Sequence, residues 1–249
     1  MTTPTQIFDF NMSTRTRQLR KQQEIPSGHN STDYITQRIF AKTKDGSKIP
    51  ISLLYRKDTP LDGRAPCLLY GYGSYGASMP ASFSSTRLSL VERGFVYAIA
   101  HVRGGMELGY DWYTAGKLKH KKNTFSDFIA VAETLIDQRY ACAGNITIHG
   151  GSAGGMLIGA VLNLRAELFK CAIADVPFVD VLTTMCDASL PLTPPEWPEW
   201  GNPLEESSAY AYIKSYSPYD NVHAQAYPHI LVTAGLTDPR VTYWEPAKW

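Results

Sequence analysis

Residues Asn145 to Met156 read Asn-Ile-Thr-Ile-His-Gly-Gly-Ser-Ala-Gly-Gly-Met, and they place a hydroxyl where acyl-transfer chemistry can use it. Gly150, Ser152 and Gly154 match G-x-S-x-G, the nucleophile elbow, in which a serine stands on a sharp turn between a strand and a helix. Such a turn strains the backbone and leaves no room for neighbouring side chains, so small residues flank the serine. The apolar pattern from Met156 to Leu162 continues as a helix. Its first N–H groups and positive dipole end then face charge that develops beside the hydroxyl. A glycine-rich turn also serves as a plain connector or a phosphate loop. The phosphate loop is excluded because no Lys follows the last glycine.

A second glycine cluster, Gly71-Tyr72-Gly73-Ser74-Tyr75-Gly76, follows the apolar run Pro66 to Tyr70. It spells G-x-G-x-x-G, yet Ala77-Ser78-Met79-Pro80 intervenes before any helix. The next strand ends at His101-Val102-Arg103 rather than at an acid that would bind a ribose. The dinucleotide reading is therefore set aside. In a serine hydrolase this loop stands where an oxyanion donor is needed. Tyr72 would supply a hydroxyl and Ala153, just after the serine, a backbone N–H. Tyr70 and Tyr75 are rivals for the first role, and ordinary aromatic packing would explain any of the three.

A triad needs an acid and a histidine, in the chain order Ser, acid, His for this arrangement. Asp238 lies in the loop beyond the apolar run His229 to Ala234, where the acid belongs; Asp175 is the alternative. The six histidines, His29, His101, His120, His149, His223 and His229, all precede Asp238. His149 is near Ser152 in sequence, but it falls within the elbow strand. None of the six is expected to be the base, and the chain reads as truncated at Trp249, partway into a helix.

The elements that must position these groups follow from periodicity. Residues 1–35 are polar and read as a short strand near Ile7 to Phe10 followed by a linker. Gln37 to Lys42 and Lys48 to Tyr55 alternate about Asp45-Gly46, a hairpin signal. Helices are expected over Ser84 to Arg93 and Thr124 to Gln138, and strands over Phe95 to His101 and Cys171 to Val176. A Pro- and Trp-rich stretch follows from Pro191 to Pro203. A hairpin followed by alternating strands and helices predicts an α/β fold, a mostly parallel sheet with helices on both faces and functional groups at the carboxyl ends of its strands.

Bulk properties narrow the partners. With 249 residues, 44% apolar and 19% charged, the chain is long enough for one large α/β domain, and its net charge of +1 points to neither nucleic acid nor membrane. The basic run Lys117 to Lys122 reads as a solvated loop before a helix. Cys67, Cys142, Cys171 and Cys186 are scattered, with Cys67 and Cys171 in apolar strand-like runs where burial is expected. Such usage suits a reducing compartment, and no apolar stretch resembles a signal peptide or a membrane span. A cytoplasmic location is the expectation, with no metal and no cofactor.

Taken in order, Leu69 to Gly73, His101 to Gly105, Gly150 to Gly155, Val176 to Val181, Glu199 to Pro203, Tyr216 to Val222 and Tyr243 to Trp249 resemble the prolyl oligopeptidase family of serine peptidases, and within it the oligopeptidase B group. The resemblance implies an α/β-hydrolase fold, incomplete at its C-terminus, over residues 36–249. Residues 1–35 are then a linker and the remnant of a β-propeller that screens substrates by size. It also implies Ser152 as nucleophile, Asp238 as triad acid, Tyr72 and the Ala153 N–H as oxyanion donors, and Arg240 as a ligand of a substrate carbonyl, with the triad histidine beyond Trp249. Short peptides cut after Lys or Arg are the implied substrates. Glu196 would pair with the basic side chain and Phe178 would wall its aliphatic stem. A carboxylate among Pro195, Trp197 and Trp200 is partly desolvated and gains from such a partner. Glu196 equally suits the first turn of a helix after two prolines. Pro198 stands where the resemblance expects a second acid, which weakens the implied selection. An esterase or amidase on the same fold, or a fragment that only folds or binds, is the competing expectation. The isolated chain is expected to expose apolar surface at the sheet edge near His229 to Ala234.

Overall fold

The computed structural model describes all 249 residues. Strands β1 (Gln6–Asn11) and β2 (Thr16–Gln22) form an antiparallel pair of their own. Residues 1–35 thus hold a two-stranded hairpin, where a single strand was expected, before the connector to the main sheet. The turn is closed locally: the Asn11 side chain accepts the N–H groups of Ser13 and Thr14, and Arg15 takes a positive φ of 54°. Strand β2 escapes a reading by periodicity because Thr16 to Gln22 contains one apolar residue and is exposed throughout.

The main sheet begins at β3 (Tyr34–Lys42), two residues before the expected boundary, and continues in β4 (Lys48–Arg56), β5 (Cys67–Tyr70), β6 (Val96–Ala100), β7 (Ile146–Gly151), β8 (Phe169–Asp175) and β9 (His229–Thr233). Its order is β3-β4-β6-β5-β7-β8-β9; β3, β4 and β6 pair antiparallel, and the rest pair parallel. The hairpin joining β3 to β4 turns at Asp45-Gly46, where Gly46 has φ 86° and the Asp45 carboxylate accepts the Ser47 N–H. Eight helices accompany the sheet: α1 (Ser85–Val91), α2 (Tyr110–Thr114), α3 (Lys122–Asp137), α4 (Ala153–Arg165), α5 (Val181–Met185), α6 (Thr193–Trp200), α7 (Ser207–Lys214) and α8 (Trp244–Lys248). None is long and apolar enough to cross a membrane.

The two-residue period of the strands sorts the core onto two faces. Ile51 and Leu53 of β4, Cys67 and Leu69 of β5, and Val96 and Ala98 of β6 join the larger cluster beneath α3 and α4. Their neighbours Leu54, Leu68, Tyr97 and Ile99 point the other way, against Leu88 and Val91 of α1. Each fully buried Leu, Ile or Phe of these layers contributes about 1.5–3 kcal/mol. Strand β9 differs, for all five of its residues are exposed, Leu231 at 60%.

Two expectations are corrected. Lys121 is not part of a solvated loop: its side chain is wholly buried, and its ammonium donates to the Gly73 carbonyl, the Ser74 hydroxyl and the Gly116 carbonyl. Three acceptors, two from the distant turn at Gly73 and Ser74 and one from Gly116 nearby in the chain, replace the water that a lysine otherwise keeps. Cys171 is half-buried while Cys67 is fully buried, because β8 packs beside the exposed edge strand β9.

Candidate active site

Ser152 connects β7 to α4 with φ 56° and ψ −122°, a conformation outside the ordinary left-handed well that costs about 1–3 kcal/mol in a residue with a side chain. The surrounding backbone holds it there. Its N–H donates to the Asp175 carbonyl at 2.8 Å, and its own carbonyl accepts from Gly155, Met156 and Phe178. The flanking glycines are steric necessities. A Cβ at Gly150 would lie 2.4 Å from the Gly154 carbonyl oxygen, and one at Gly155 would lie 2.4 Å from Pro177 Cβ.

Tyr72 lies in the loop that leaves β5, and its phenol faces the Ser152 hydroxyl. Burial raises the Tyr72 pKa above its ordinary value, and the interaction with Ser152 works against that rise. Ala153 opens α4 fully buried, and its N–H makes no hydrogen bond within the protein. The other tyrosines of the segment are committed elsewhere. Tyr70 packs edge-on against His149, with ring centroids 5.4 Å apart, and Tyr75 gives its hydroxyl to Glu196 at 2.8 Å.

A cavity of about 290 Å³ opens at Ser152, and Tyr72, Tyr75, Phe178, Glu196 and Arg240 line it. Phe178 leans on Trp200, 5.6 Å between ring centroids, which fixes the apolar wall. Glu196 stands in the first turn of α6, and its Oε2 accepts both the Tyr75 hydroxyl and the Trp200 indole N–H at 2.9 Å. Pro198, inside the same helix, faces another depression and not this cavity. A second carboxylate, Glu245 of α8, also lines the cavity, and no periodicity near the end of the chain signals it. It accepts the Val179 and Asp180 N–H groups and the Thr184 hydroxyl, and burial pushes its pKa up to about 7.

Asp238 lies in the loop after β9, and its Oδ1 accepts the N–H groups of Arg240 at 2.8 Å and Val241 at 3.1 Å. Arg240 and Val241 reach the cavity wall; Asp238 does not. No histidine lines the cavity. His149 is paired with the alternative acid: its Nε2 lies 2.7 Å from Asp175 Oδ2, while the Thr233 hydroxyl donates to Asp175 Oδ1 at 2.8 Å. Burial raises the Asp175 pKa, and these two partners more than offset that effect, leaving it below the ordinary carboxylate range. This cluster ties β7, β8 and β9 together at their carboxyl ends. His101 and Arg103 belong to support rather than to the cavity. The Arg103 guanidinium binds the buried Asp127 and, at 2.7 Å, Asp45. His101 Nε2 lies 2.8 Å from the Ser52 hydroxyl. No group of three or more His, Cys, Asp and Glu side chains converges as a metal site would require.

The sequence profile of the prolyl oligopeptidase family matches residues 81–249, the part that contains the elbow, α8 and the cavity wall from Phe178 to Glu245. The chain belongs to this family. It is 52% identical to dipeptidyl aminopeptidase BI of Pseudoxanthomonas mexicana, over 100% of this chain and 34% of that protein. Among solved structures, oligopeptidase B from Leishmania major superposes with a TM-score of 0.96 at 52% identity, covering 100% of this chain and 34% of that one. Oligopeptidase B from Trypanosoma brucei, solved in a closed form with covalently bound antipain, gives the same TM-score and identity and is covered to 35%. The chain therefore spans about a third of the length of these relatives, and within that third its fold is the α/β-hydrolase fold of prolyl oligopeptidase catalytic domains.

Proposed function

We propose that this chain forms the catalytic part of a serine endopeptidase that cuts short peptides after Lys or Arg through an acyl-enzyme. The carrying observation is that a strained Ser152 and Tyr72 line the same cavity as Glu196 and Phe178, with the unpaired N–H of Ala153 next to Ser152 in the chain. Ser152 attacks the scissile carbonyl, whose oxygen becomes negative between Tyr72 and Ala153. Glu196 anchors the basic side chain, Phe178 holds its methylenes, and Arg240 binds a backbone carbonyl of the peptide. Asp238 orients a histidine that takes the Ser152 proton and delivers it to the leaving amine. With no histidine on the cavity, that base is assigned to sequence that the relatives carry outside the matched third. The β1–β2 pair, separate from the main sheet, supports assigning residues 1–35 to the end of a preceding β-propeller and its linker. The four unpaired cysteines favour a reducing, cytoplasmic setting.

A chimaera in which this chain replaces the matching third of the Leishmania major oligopeptidase B tests the reading. It should hydrolyse chromogenic peptides ending in Lys or Arg, and Glu196→Gln should cost at least about tenfold on those alone, as expected for a charge-assisted contact. Equal cleavage of uncharged ester or amide substrates, unaffected by Glu196→Gln, would instead mark an esterase or amidase.

A further inference from the structure

Glu196 presents its two oxygens unequally. Oε2 accepts two hydrogen bonds, from the Tyr75 hydroxyl at 2.8 Å and from the Trp200 indole N–H at 2.9 Å, which occupies both of its lone pairs. Oε1 takes no hydrogen bond from the protein and is not among the buried polar atoms that lack a partner, so it remains reachable from the cavity. The other carboxylates nearby accept a hydrogen bond on each oxygen. Both oxygens of Glu245 are taken by Val179, Asp180 and Thr184. Glu199 is buried and accepts the Tyr75 N–H at 2.9 Å and the Tyr113 hydroxyl at 2.6 Å. The cavity thus offers a basic side chain one free carboxylate oxygen.

That asymmetry matters because the two basic groups bind carboxylates differently. A guanidinium gains most from a fork that engages both oxygens in one plane, whereas an ammonium is a compact charge that one oxygen satisfies. Tyr75 is held in place to enforce the asymmetry. Its φ is 58°, its N–H is tied to Glu199, and its ring lies edge-on to Trp200 at 5.5 Å. We propose that Tyr75 is a positioning residue for specificity: by occupying Oε2 of Glu196 it fits the pocket to an alkylammonium, the end of a lysine side chain, in preference to an alkylguanidinium. This rests on Glu196 being the anchor for basic side chains, as argued above, and adds to it the preference between the two.

Binding of n-butylamine and n-propylguanidine to this chain, followed by ligand-observed NMR titration, tests the inference without any turnover. The wild type should bind the ammonium the more tightly. Tyr75→Phe keeps the ring and frees one of the two acceptor positions of Oε2, so it should shift the ratio of dissociation constants toward the guanidinium by about tenfold, the worth of one hydrogen bond to a charged group. Trp200→Phe removes the other donor and should move the ratio the same way, so a folding defect in one variant leaves the other to decide. An unchanged ratio in a folded variant, or a shift toward the ammonium, would overturn the role of Tyr75. If Glu196→Gln alters the binding of neither probe, the anchor itself is wrong, and the inference falls with it. Loss of both probes in Glu196→Gln together with an unmoved ratio in Tyr75→Phe sinks the inference alone.

Discussion

The ammonium of Lys121 donates to the carbonyl oxygen of Gly73 at 2.5 Å, one residue beyond the tyrosine that faces Ser152. The same ammonium lies 5.2 Å from the centroid of the Trp200 ring, against which Phe178 packs. A single buried cation therefore underpins both the loop of Tyr72 and the wall of the cavity. This gives a burial cost, and that cost depends on pH.

Burial lowers the Lys121 pKa from 10.5 to about 7. Between those values the unfolded chain holds a proton that the folded protein has released. Stability must then rise with pH across that window, since the unfolded state binds more protons. Denaturant unfolding of the wild type and Lys121→Met at several pH values should show their difference moving in favour of the wild type between about pH 7 and 10. Parallel pH profiles would contradict it.

The elbow permits little substitution. In Gly155→Ala the new methyl meets Pro177 Cβ at 2.4 Å, and Pro177 cannot swing away as a flexible side chain would. Overpacking of this kind costs about 1–3 kcal/mol, so the melting temperature should drop by several degrees. A variant as stable as the wild type would show that the turn relaxes more than the packing allows.

Tyr72→Phe removes one oxyanion donor and leaves the ring in place. In the chimaera with the Leishmania major relative, kcat should fall by about 10²–10³-fold with KM little changed, because the bond forms in the transition state. A KM effect with kcat preserved would move Tyr72 to substrate binding.

Much of this was legible in the residues because local rules act over short spans. The alternation of Gln37 to Lys42 and Lys48 to Tyr55 matches the pairing Gln37↔Leu53 and Lys42↔Lys48, and the glycines about Ser152 announce the turn they make possible. Strand β2 was hidden because an exposed hairpin arm needs no apolar face. Lys121 was hidden among its basic neighbours, since the acceptors that bury it come from turns at Gly73 and Gly116. The pairing of His149 with Asp175 depends on β7 and β8 being neighbours, and the place of Glu245 on the cavity wall depends on α8 folding back over α5. Both are facts of strand order and chain return that spacing does not encode.

We propose Ser152 as the nucleophile of a pocket that selects basic side chains. Reaction of the chimaera with a fluorophosphonate, followed by peptide mapping, tests it most directly. A single adduct on Ser152 is expected, slowed by a competing Lys-containing peptide and absent in Ser152→Ala. An adduct on another residue, or labelling that survives Ser152→Ala, would contradict it.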